Sequence, residues 1–498
     1  MALPTLDSPG DFIGGRFVAP DRPDGELRVS SPADLDDLVS IHPHAQVHIE
    51  RAVEAARAAL PGWRRTTSTE RRALLERYRD RVRAHREDIA LCIAREVGKP
   101  LWEARGEVDA MAAKVDVMSG EGLEHTRDQR IEALPAEVRH RPLGVVAVIG
   151  PFNFPGHLPN GQIVPALLLG NTVVHKPSDK TPSTAVWIAR CLHEAGLPSG
   201  VFNLVQGGPP GGQALTTHDD VDGILFTGSV PVGQAIVRDN AHRPDRLVAL
   251  ELGGKNATIA LDDCDVEATA RAVAFAAFVT AGQRCTATSR LLATPGVTDA
   301  LVARIAEIAR ELRVGYPLDE GVFTGPVISE AARLKVLAAQ QAARAGGFEP
   351  VVDGGPAPVP GHEGHYLRPA VHRAPSAATR VVGYSERELF GPDLAVYPVS
   401  DLDEAIFVAN DTPFGLSAAV FTASEAAFEH AADGVHVGVL HWNRSSAGAS
   451  GRLPFGGIKN SGNHRPAGIM AGTSCSYPLA LLGDATPAAA ADWPGFPS

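Results

Sequence analysis

The stretch Gly144-Val-Val-Ala-Val-Ile-Gly150 begins a regular alternation of apolar strands and helices that decides the fold. Four further apolar runs follow, and a helical segment separates each run from the next. The predicted strands are 144–150, 172–175, 201–205, 223–227 and 247–250, and the predicted helices are 162–169, 183–195, 212–217 and 230–238. Strands that are apolar throughout are buried on both faces, so the pattern predicts an α/β fold with a parallel, doubly wound sheet. Such sheets bind ligands at the carboxyl ends of their strands.

The segments on either side of this alternation predict the remaining parts of the molecule. Residues 1–47 are expected to be extended, and apolar residues spaced by three and four predict helices from 47 to about 118. Residues 129–142 are expected to form edge strands of a small sheet. A second strand–helix alternation from 253 to 455 predicts a second α/β domain. The last segment, 485–498, is rich in Ala and Pro and is expected to be a mobile tail.

Composition excludes several classes of protein. The 498 residues carry a net charge of −12, so a basic nucleic-acid-binding surface is not expected. The five cysteines are odd in number and form no C-x-x-C pair, which argues against a disulfide framework and a zinc site. No signal-peptide pattern and no apolar run long enough to span a membrane is present, so a soluble cytoplasmic protein without a metal is expected.

A cysteine follows a break in the second alternation, in Phe278-Val-Thr-Ala-Gly-Gln-Arg-Cys285. Arg284 places a permanent positive charge beside Cys285, which can lower the pKa of a thiol toward the nucleophilic thiolate. A small buried hydrophobic residue is the equally plausible alternative from this stretch alone.

A dinucleotide site is indicated by two segments that follow strands. In Phe226-Thr-Gly-Ser-Val-Pro-Val-Gly233, Ser229 can cap the next helix and Pro231 suits its first turn, so the helix N-terminus can face a pyrophosphate. In Lys176-Pro-Ser-Asp179, the acid can accept from a ribose and would repel a 2′-phosphate, which favours NAD over NADP. Ordinary helix capping and a solvated turn are the alternatives. The proline-containing loop 206–212 is expected to be a plain turn.

Two polar residues directly after strands suggest catalysis. Glu251 follows a strongly apolar strand, and burial there would raise the pKa of its carboxyl group and make it a usable general base. Asn153, in Pro151-Phe-Asn-Phe-Pro155, could donate to an oxyanion. Local pairing of Glu251 and a simple Asn turn are the alternatives. The segment Glu388-Leu-Phe-Gly-Pro392 is uninformative by itself.

Together these motifs, with Pro454-Phe-Gly-Gly-Ile-Lys459, resemble the NAD(P)-dependent aldehyde dehydrogenase superfamily in order and spacing. The resemblance implies that Cys285 is the nucleophile, Glu251 the general base and Asn153 the oxyanion donor. It also implies a set of NAD-binding residues: Lys176, Asp179, Phe226, Gly228, Ser229, Val230, Pro231, Val232, Gly233, Leu252, Glu388 and Phe390. The implied domains are 1–126 with 143–252 for NAD, 253–455 for catalysis, and 127–142 with 470–482 as an oligomerisation arm of a homodimer or homotetramer.

Within that superfamily, Ser461-Gly-Asn-His-Arg-Pro466 and the stretches around Asn153 and Cys285 resemble the subfamily that oxidises succinylglutamate semialdehyde in arginine catabolism. That resemblance implies a small anionic aldehyde as substrate, with Arg284, Arg452, Phe455 and Arg465 as candidate contacts. Asp179 departs from the usual Glu. Another semialdehyde or small aldehyde as substrate, and a catalytically silent protein on the same fold, are the alternatives.

Overall fold

A computed structural model describes residues 3–483 and 494–495. Nearly all of the Ala- and Pro-rich segment 485–498 therefore lies outside the described residues. The helices, in chain order, are α1 (Val47–Trp63), α2 (Ser68–Ala84), α3 (Arg86–Val97), α4 (Leu101–Ser119), α5 (His157–Leu168), α6 (Pro182–Glu194), α7 (Pro209–Thr217), α8 (Val230–Asp239), α9 (Val266–Phe278), α10 (Pro295–Glu311), α11 (Glu330–Ala345), α12 (Leu402–Asn410) and α13 (Glu425–Gly434). Three 3₁₀ helices span Glu121–Thr126, Val279–Gly282 and Ile469–Ser474.

The strands, in chain order, are β1 (Asp11–Ile13), β2 (Arg16–Val18), β3 (Gly25–Ser31), β4 (Asp34–His44), β5 (Gln129–Ile131), β6 (Ala136–Pro142), β7 (Val145–Ile149), β8 (Thr172–Lys176), β9 (Phe202–Leu204), β10 (Gly223–Thr227), β11 (Leu247–Glu251), β12 (Asn256–Ala260), β13 (Thr288–Ala293), β14 (Glu349–Asp353), β15 (Ala370–Arg373), β16 (Asp393–Pro398), β17 (Phe414–Gly415), β18 (Ser417–Phe421), β19 (Val439–Trp442), β20 (Pro454–Phe455), β21 (Ile458–Lys459), β22 (Ala467–Gly468) and β23 (Ser476–Leu482).

The first large sheet has the order β11-β10-β7-β8-β9-β1-β2, and its strands from β11 to β9 are parallel. Helices cover both faces. Val145 and Ala147 of β7 pack with α1, whereas Val146 and Val148 pack with α5 and α6. Strands β8 and β9 add to one side of β7, whereas β10 and β11 add to its other side. Such a switch point, between β7 and β10, opens a crevice at the carboxyl ends of the strands.

The second large sheet has the order β14-β15-β16-β13-β12-β18-β19 and is parallel except for β14. It has its own apolar cores. One core packs the sheet against α9 and α10, and the other packs it against α12 and α13. The prediction of a doubly wound parallel sheet followed by a second α/β unit is confirmed. The domain boundaries stay a prediction.

A separate three-stranded antiparallel sheet, β23-β6-β5, joins residues 129–142 to the segment near the end of the described chain. Two helix starts differ from expectation. Helix α5 begins at His157 rather than 162, and α7 begins at Pro209 inside the segment expected to be a plain turn. Proline fits the first turn of a helix because its missing N–H is not needed there, so apolar spacing alone places such starts too late.

Two negative observations apply to the described residues alone. None of their helices has the length and apolar character needed to cross a membrane. Within the same residues, no group of three or more His, Cys, Asp or Glu side chains is arranged to hold a metal ion.

Candidate active site

Two cavities meet at one short stretch of wall. The first, of about 800 Å³, lies at the carboxyl ends of β7, β8, β10 and β11, in the crevice that the strand order predicts. The second, of about 410 Å³, lies between α4, α5 and residues 448–451. Five residues line both cavities: Leu158, Thr227, Glu251, Leu252 and Cys285. A thiol and a carboxyl group therefore stand where the contents of the two cavities would meet.

Cys285 is positioned by an unusual turn after α9. Thr280 and Ala281 adopt left-handed φ angles of 57° and 52°, which non-glycine residues rarely do. The Ala281 N–H donates to Thr324 Oγ1 at 2.8 Å, and Gly282, at φ 70°, lies against the Gly391 carbonyl. These contacts hold the strained backbone in place.

The expectation of an acidified thiol is wrong for this structure. Burial, together with the nearby Glu388 and Glu251, raises the pKa of Cys285 to about 12. The Arg284 guanidinium opposes this rise without overcoming it, and it donates to Glu103 Oε1 at 2.8 Å. A carboxylate far upstream in the chain thus pairs with the cation that the sequence places beside the thiol. The resting thiol is protonated near neutral pH and must lose its proton during the reaction.

Glu251 ends β11 with its side chain buried. Neither carboxylate oxygen accepts a well-formed hydrogen bond among the residues described, although the Ala467 backbone N–H lies close enough to oppose part of the rise that burial causes in the pKa. Burial raises the pKa of Glu251 well above its usual value. Unpaired buried carboxylates are costly, so local pairing, the structural alternative, does not explain this residue. The environment suits a group that exchanges protons with a water or a reactant.

Asn153 lies in the turn between β7 and α5 and is buried. Its Nδ2 donates to the Gln283 carbonyl at 2.9 Å, which ties this turn to the cysteine loop. A primary amide has two N–H donors, so one remains for a reactant. The neighbouring Phe154 ring packs under the Lys99 ammonium at 3.3 Å from the ring centre, and Glu107 accepts from the Gly156 N–H at 2.9 Å.

The first cavity contains most of the residues that the sequence predicts for a cofactor. Its walls include Lys176, Asp179, Phe226, Gly228, Ser229, Val232, Leu252, Glu388 and Phe390. Val230, Pro231 and Gly233 do not line it, although they form the first turn of α8. Gly233 is needed for packing, because a Cβ there would lie 2.8 Å from the Leu252 side chain. Lys176 donates to the Pro177 carbonyl at 2.9 Å, and burial lowers the pKa of its ammonium to about 8.

Ser229 occupies the N-cap position of α8, but its hydroxyl makes no capping hydrogen bond, contrary to expectation. The second residue of the helix is Pro231, which has no N–H to donate. Within that first turn the Gly233 N–H donates to the Ser229 carbonyl at 3.0 Å, and the N–H groups of Val230 and Val232 have no hydrogen-bond partner among the described residues. Free N–H groups at a helix N-terminus, a lysine and an acid that line one cavity fit a dinucleotide.

Glu388 reaches into the same cavity from the second α/β unit. Its Oε1 accepts from the Gly254 N–H at 2.9 Å, and burial raises the pKa of its carboxyl group to about 7. The adjacent Phe390 has a left-handed φ of 59° and packs edge-on against Phe152. Loop 388–392 therefore does face the crevice, which its sequence alone could not indicate.

The four predicted substrate contacts separate into two pairs. Arg284 and Phe455 line the second cavity. Arg452 and Arg465 are exposed and line neither cavity, so the structure does not bring them to the site. The prediction rested on the bidentate geometry that a guanidinium offers to a carboxylate, and sequence alone does not show which arginines reach a cavity.

Sequence reasoning missed the polar wall of the second cavity. Four titratable residues there were not singled out: Glu103, Glu107, Lys114 and His157. The first three share a face of α4, spaced by four and seven residues, together with buried apolar side chains. Charged residues on the buried face of a helix are the one signal that could have found them.

Comparisons with known proteins agree with this geometry. Residues 17–477 match the model of the aldehyde dehydrogenase family. The chain is 42% identical over 482 residues to N-succinylglutamate 5-semialdehyde dehydrogenase of Chromobacterium violaceum, covering 95% of this chain and 96% of that one. It is 43% identical to the enzyme of the same name from Chromohalobacter salexigens, covering 95% of both.

Solved structures give the same result. An NAD-dependent aldehyde dehydrogenase from Sinorhizobium meliloti superposes with a TM-score of 0.90 at 32% identity, covering 97% of this chain and 96% of that one. A mutant of aldehyde dehydrogenase C from Pseudomonas syringae, in complex with NAD⁺ and octanal, has a TM-score of 0.90 at 33% identity, covering 97% and 98%. The chain belongs to the aldehyde dehydrogenase family.

Proposed function

We propose that this protein oxidises N-succinylglutamate 5-semialdehyde to N-succinylglutamate with NAD, as a step in arginine catabolism. The observation that carries the proposal is the wall shared by the two cavities, where Cys285 and Glu251 stand together. The substrate is suggested by the relatives of that name at 42–43% identity. NAD is supported by the solved relatives that use or hold it, and by Asp179, which would repel a 2′-phosphate.

In the proposed reaction, Cys285 Sγ bonds to the aldehyde carbon, the carbonyl electron pair moves to the oxygen, and the thiol proton passes to solvent. Asn153 Nδ2 and the Cys285 N–H stabilise the oxyanion that forms, and each such donor typically contributes about 3 kcal/mol to the transition state. NAD supplies the hydride acceptor when bound in the first cavity. Loss of hydride leaves a thioester on Cys285. Glu251 then takes a proton from water, which hydrolyses the thioester to the carboxylate and restores the thiol.

The cofactor is assigned to the residues that line the first cavity. We place the pyrophosphate at the N-terminus of α8, the adenosine ribose at Lys176 and Asp179, and the nicotinamide ribose at Glu388 beside Phe390. Transfer of the acyl group to coenzyme A is disfavoured, since Glu251 is placed to activate water.

We also propose a homodimer or homotetramer in the cytoplasm. The β23-β6-β5 sheet presents exposed apolar side chains, among them Tyr477 and Leu482, which a second copy could cover. All five cysteines of the described chain are free, as in a reducing compartment.

A substrate panel tests the proposed reaction. NADH absorbance is followed with N-succinylglutamate 5-semialdehyde and with neutral straight-chain aldehydes of similar length, each with NAD and with NADP. We expect the highest kcat/KM for the anionic semialdehyde with NAD. An equal or higher value for a neutral aldehyde would contradict the proposed substrate while leaving the aldehyde oxidation intact.

A further inference from the structure

One face of α4 forms a wall of the second cavity. Its lining residues are Trp102, Glu103, Gly106, Glu107, Ala110 and Lys114. Glu103 is close to the reacting group, because its carboxylate pairs with Arg284, next to Cys285. Lys114 lies eleven residues further along the helix, about 16 Å along its axis. This wall therefore extends from the cysteine loop to a region that only a distant part of a substrate could reach.

The acidic groups of this wall are already paired. Glu107 accepts from Lys99 Nζ at 2.5 Å and from the N–H groups of Gly156 and His157 at 2.9 and 3.0 Å. Glu103 accepts from Arg284 at 2.8 Å. Glu107 and the Oε1 of Glu103 thus have internal partners that occupy the cations Lys99 and Arg284, whereas Glu103 Oε2 has no partner among the described residues.

Lys114 differs from these cations. Only 6% of the residue is exposed, and within the described residues its one hydrogen bond is to the Gly468 carbonyl at 2.6 Å. No carboxylate within residues 3–483 forms an ion pair with it at 4.0 Å or less. Cys475 lies near Lys114, but burial raises the pKa of that thiol to about 12 and leaves it uncharged. An ammonium group has three donors, so two remain.

His157, at the start of α5, lines the same cavity. Its Nδ1 is buried and has no partner among the described residues. Burial and the charges of Lys114 and Lys99 lower the pKa of His157 to about 4, so the ring is neutral near neutral pH. A neutral imidazole can donate one hydrogen bond to an anion without adding a charge.

We propose that Lys114, with His157 beside it, binds a carboxylate of the substrate far from the aldehyde carbon, and so selects anionic semialdehydes. A buried ammonium without a counterion is costly, and a substrate carboxylate would supply the missing charge. This inference rests on the proposed function and assigns the selection to residues other than the exposed Arg452 and Arg465. Lys114 also ties α4 to Gly468, so a purely structural role is the competing explanation.

The test compares Lys114→Met, Lys114→Arg and His157→Leu with wild type, using N-succinylglutamate 5-semialdehyde and octanal as substrates. Loss of a charge-assisted hydrogen bond predicts roughly a 10- to 100-fold lower kcat/KM for the anion in Lys114→Met, mainly through KM. Octanal kinetics should change less than about threefold, and Lys114→Arg should recover part of the loss. His157→Leu should show a smaller loss in the same direction. Arg452→Met and Arg465→Met are matched controls and should behave as wild type.

Calorimetric binding of N-succinylglutamate, the product, provides a readout that does not need turnover. We expect its affinity to fall in Lys114→Met by a factor similar to that for the substrate. An equal fall in kcat/KM for octanal and for the anionic semialdehyde in Lys114→Met would show a structural role of Lys114 and overturn the subsite. If Lys114→Met keeps the wild-type preference for the anionic semialdehyde over octanal, the subsite is overturned and the proposed substrate is not. A wild type without any preference for the anion would overturn both the proposed substrate and the subsite.

Discussion

At the scale of single residues, burial controls the chemistry of the site. Cys285 and Glu251 both have raised pKa values because they are shielded from water, not because of a local motif. The sequence correctly places Glu251 beside an apolar strand, where a raised pKa follows from burial. It misleads for Cys285, because burial outweighs the charge of Arg284, whose partner Glu103 no local pattern reveals.

Glu251→Gln tests the role of this carboxyl group. Glutamine cannot accept the proton from water, so we expect one rapid burst of NADH followed by turnover slowed about 100-fold or more. In wild type, the general base works only when ionised, so steady-state turnover should rise with pH through a pKa well above 4.5. The rising limb should be absent in Glu251→Gln. Steady-state turnover equal to that of wild type would remove Glu251 as the base.

The same substitution has a consequence for stability. The pKa of Glu251 is raised on folding, so the folded state binds its proton more tightly than the unfolded state. Stability contributed by this group is therefore full at pH below 4.5 and falls as the pH rises toward the folded pKa. Glutamine removes this loss, and the thermal midpoint of Glu251→Gln at pH 8 should equal or exceed that of wild type.

At the scale of elements, the strands of the first sheet could be predicted because each is an uninterrupted apolar run. The turn before Cys285 could not, since Thr280 and Ala281 have no intrinsic preference for left-handed φ angles. That conformation depends on the hydrogen bond from the Ala281 N–H to Thr324 Oγ1, and Thr324 lies 43 residues further along the chain. The polar wall of α4 was missed because several partners of Glu103 and Glu107, namely Arg284 and the N–H groups of Gly156 and His157, come from distant parts of the chain.

Gly282→Ala tests the turn. A Cβ at this position would lie 2.1 Å from the Gly391 carbonyl oxygen, at a φ of 70°. We expect a loss of about 2 kcal/mol or more in the free energy of unfolding and a matching loss of activity as the cysteine loop shifts. Gly62→Ala is the control, since nothing lies within 4 Å of its Cβ position, and it should be neutral or slightly stabilising. Equal free energies of unfolding for Gly282→Ala and Gly62→Ala, measured by chemical denaturation, would contradict this role of Gly282 in the turn.

At the scale of the whole molecule, the two large sheets bring together residues that are far apart in sequence. Asn153 and Glu251 come from the first sheet, and Cys285 and Glu388 come from the second unit. Alternating elements predicted both sheets, and the rule for switch points predicted the edge where ligands bind. The position of one sheet against the other could not be predicted, because it depends on contacts such as Asn153 with Gln283.

Assembly is the prediction at this scale. Tyr477 and Leu482 are exposed on β23, by 47% and 76%, and a partner copy would cover them. Replacing both with Asp should therefore shift the sedimentation coefficient toward that of a monomer. Phe407→Asp is the control, since Phe407 is also exposed, on α12 away from this sheet. A wild type that sediments as a monomer, or a control that dissociates equally, would contradict the proposed interface.

The most direct test of the central claim is the rate of NADH formation by Cys285→Ala with saturating aldehyde, measured beside its affinity for NAD. Alanine removes the nucleophile while the first cavity keeps the walls that would hold NAD. We predict a fall in kcat of at least about 10⁴-fold, with NAD affinity within about threefold of wild type. NADH formation at a substantial fraction of the wild-type rate would contradict the assignment of Cys285 as the nucleophile.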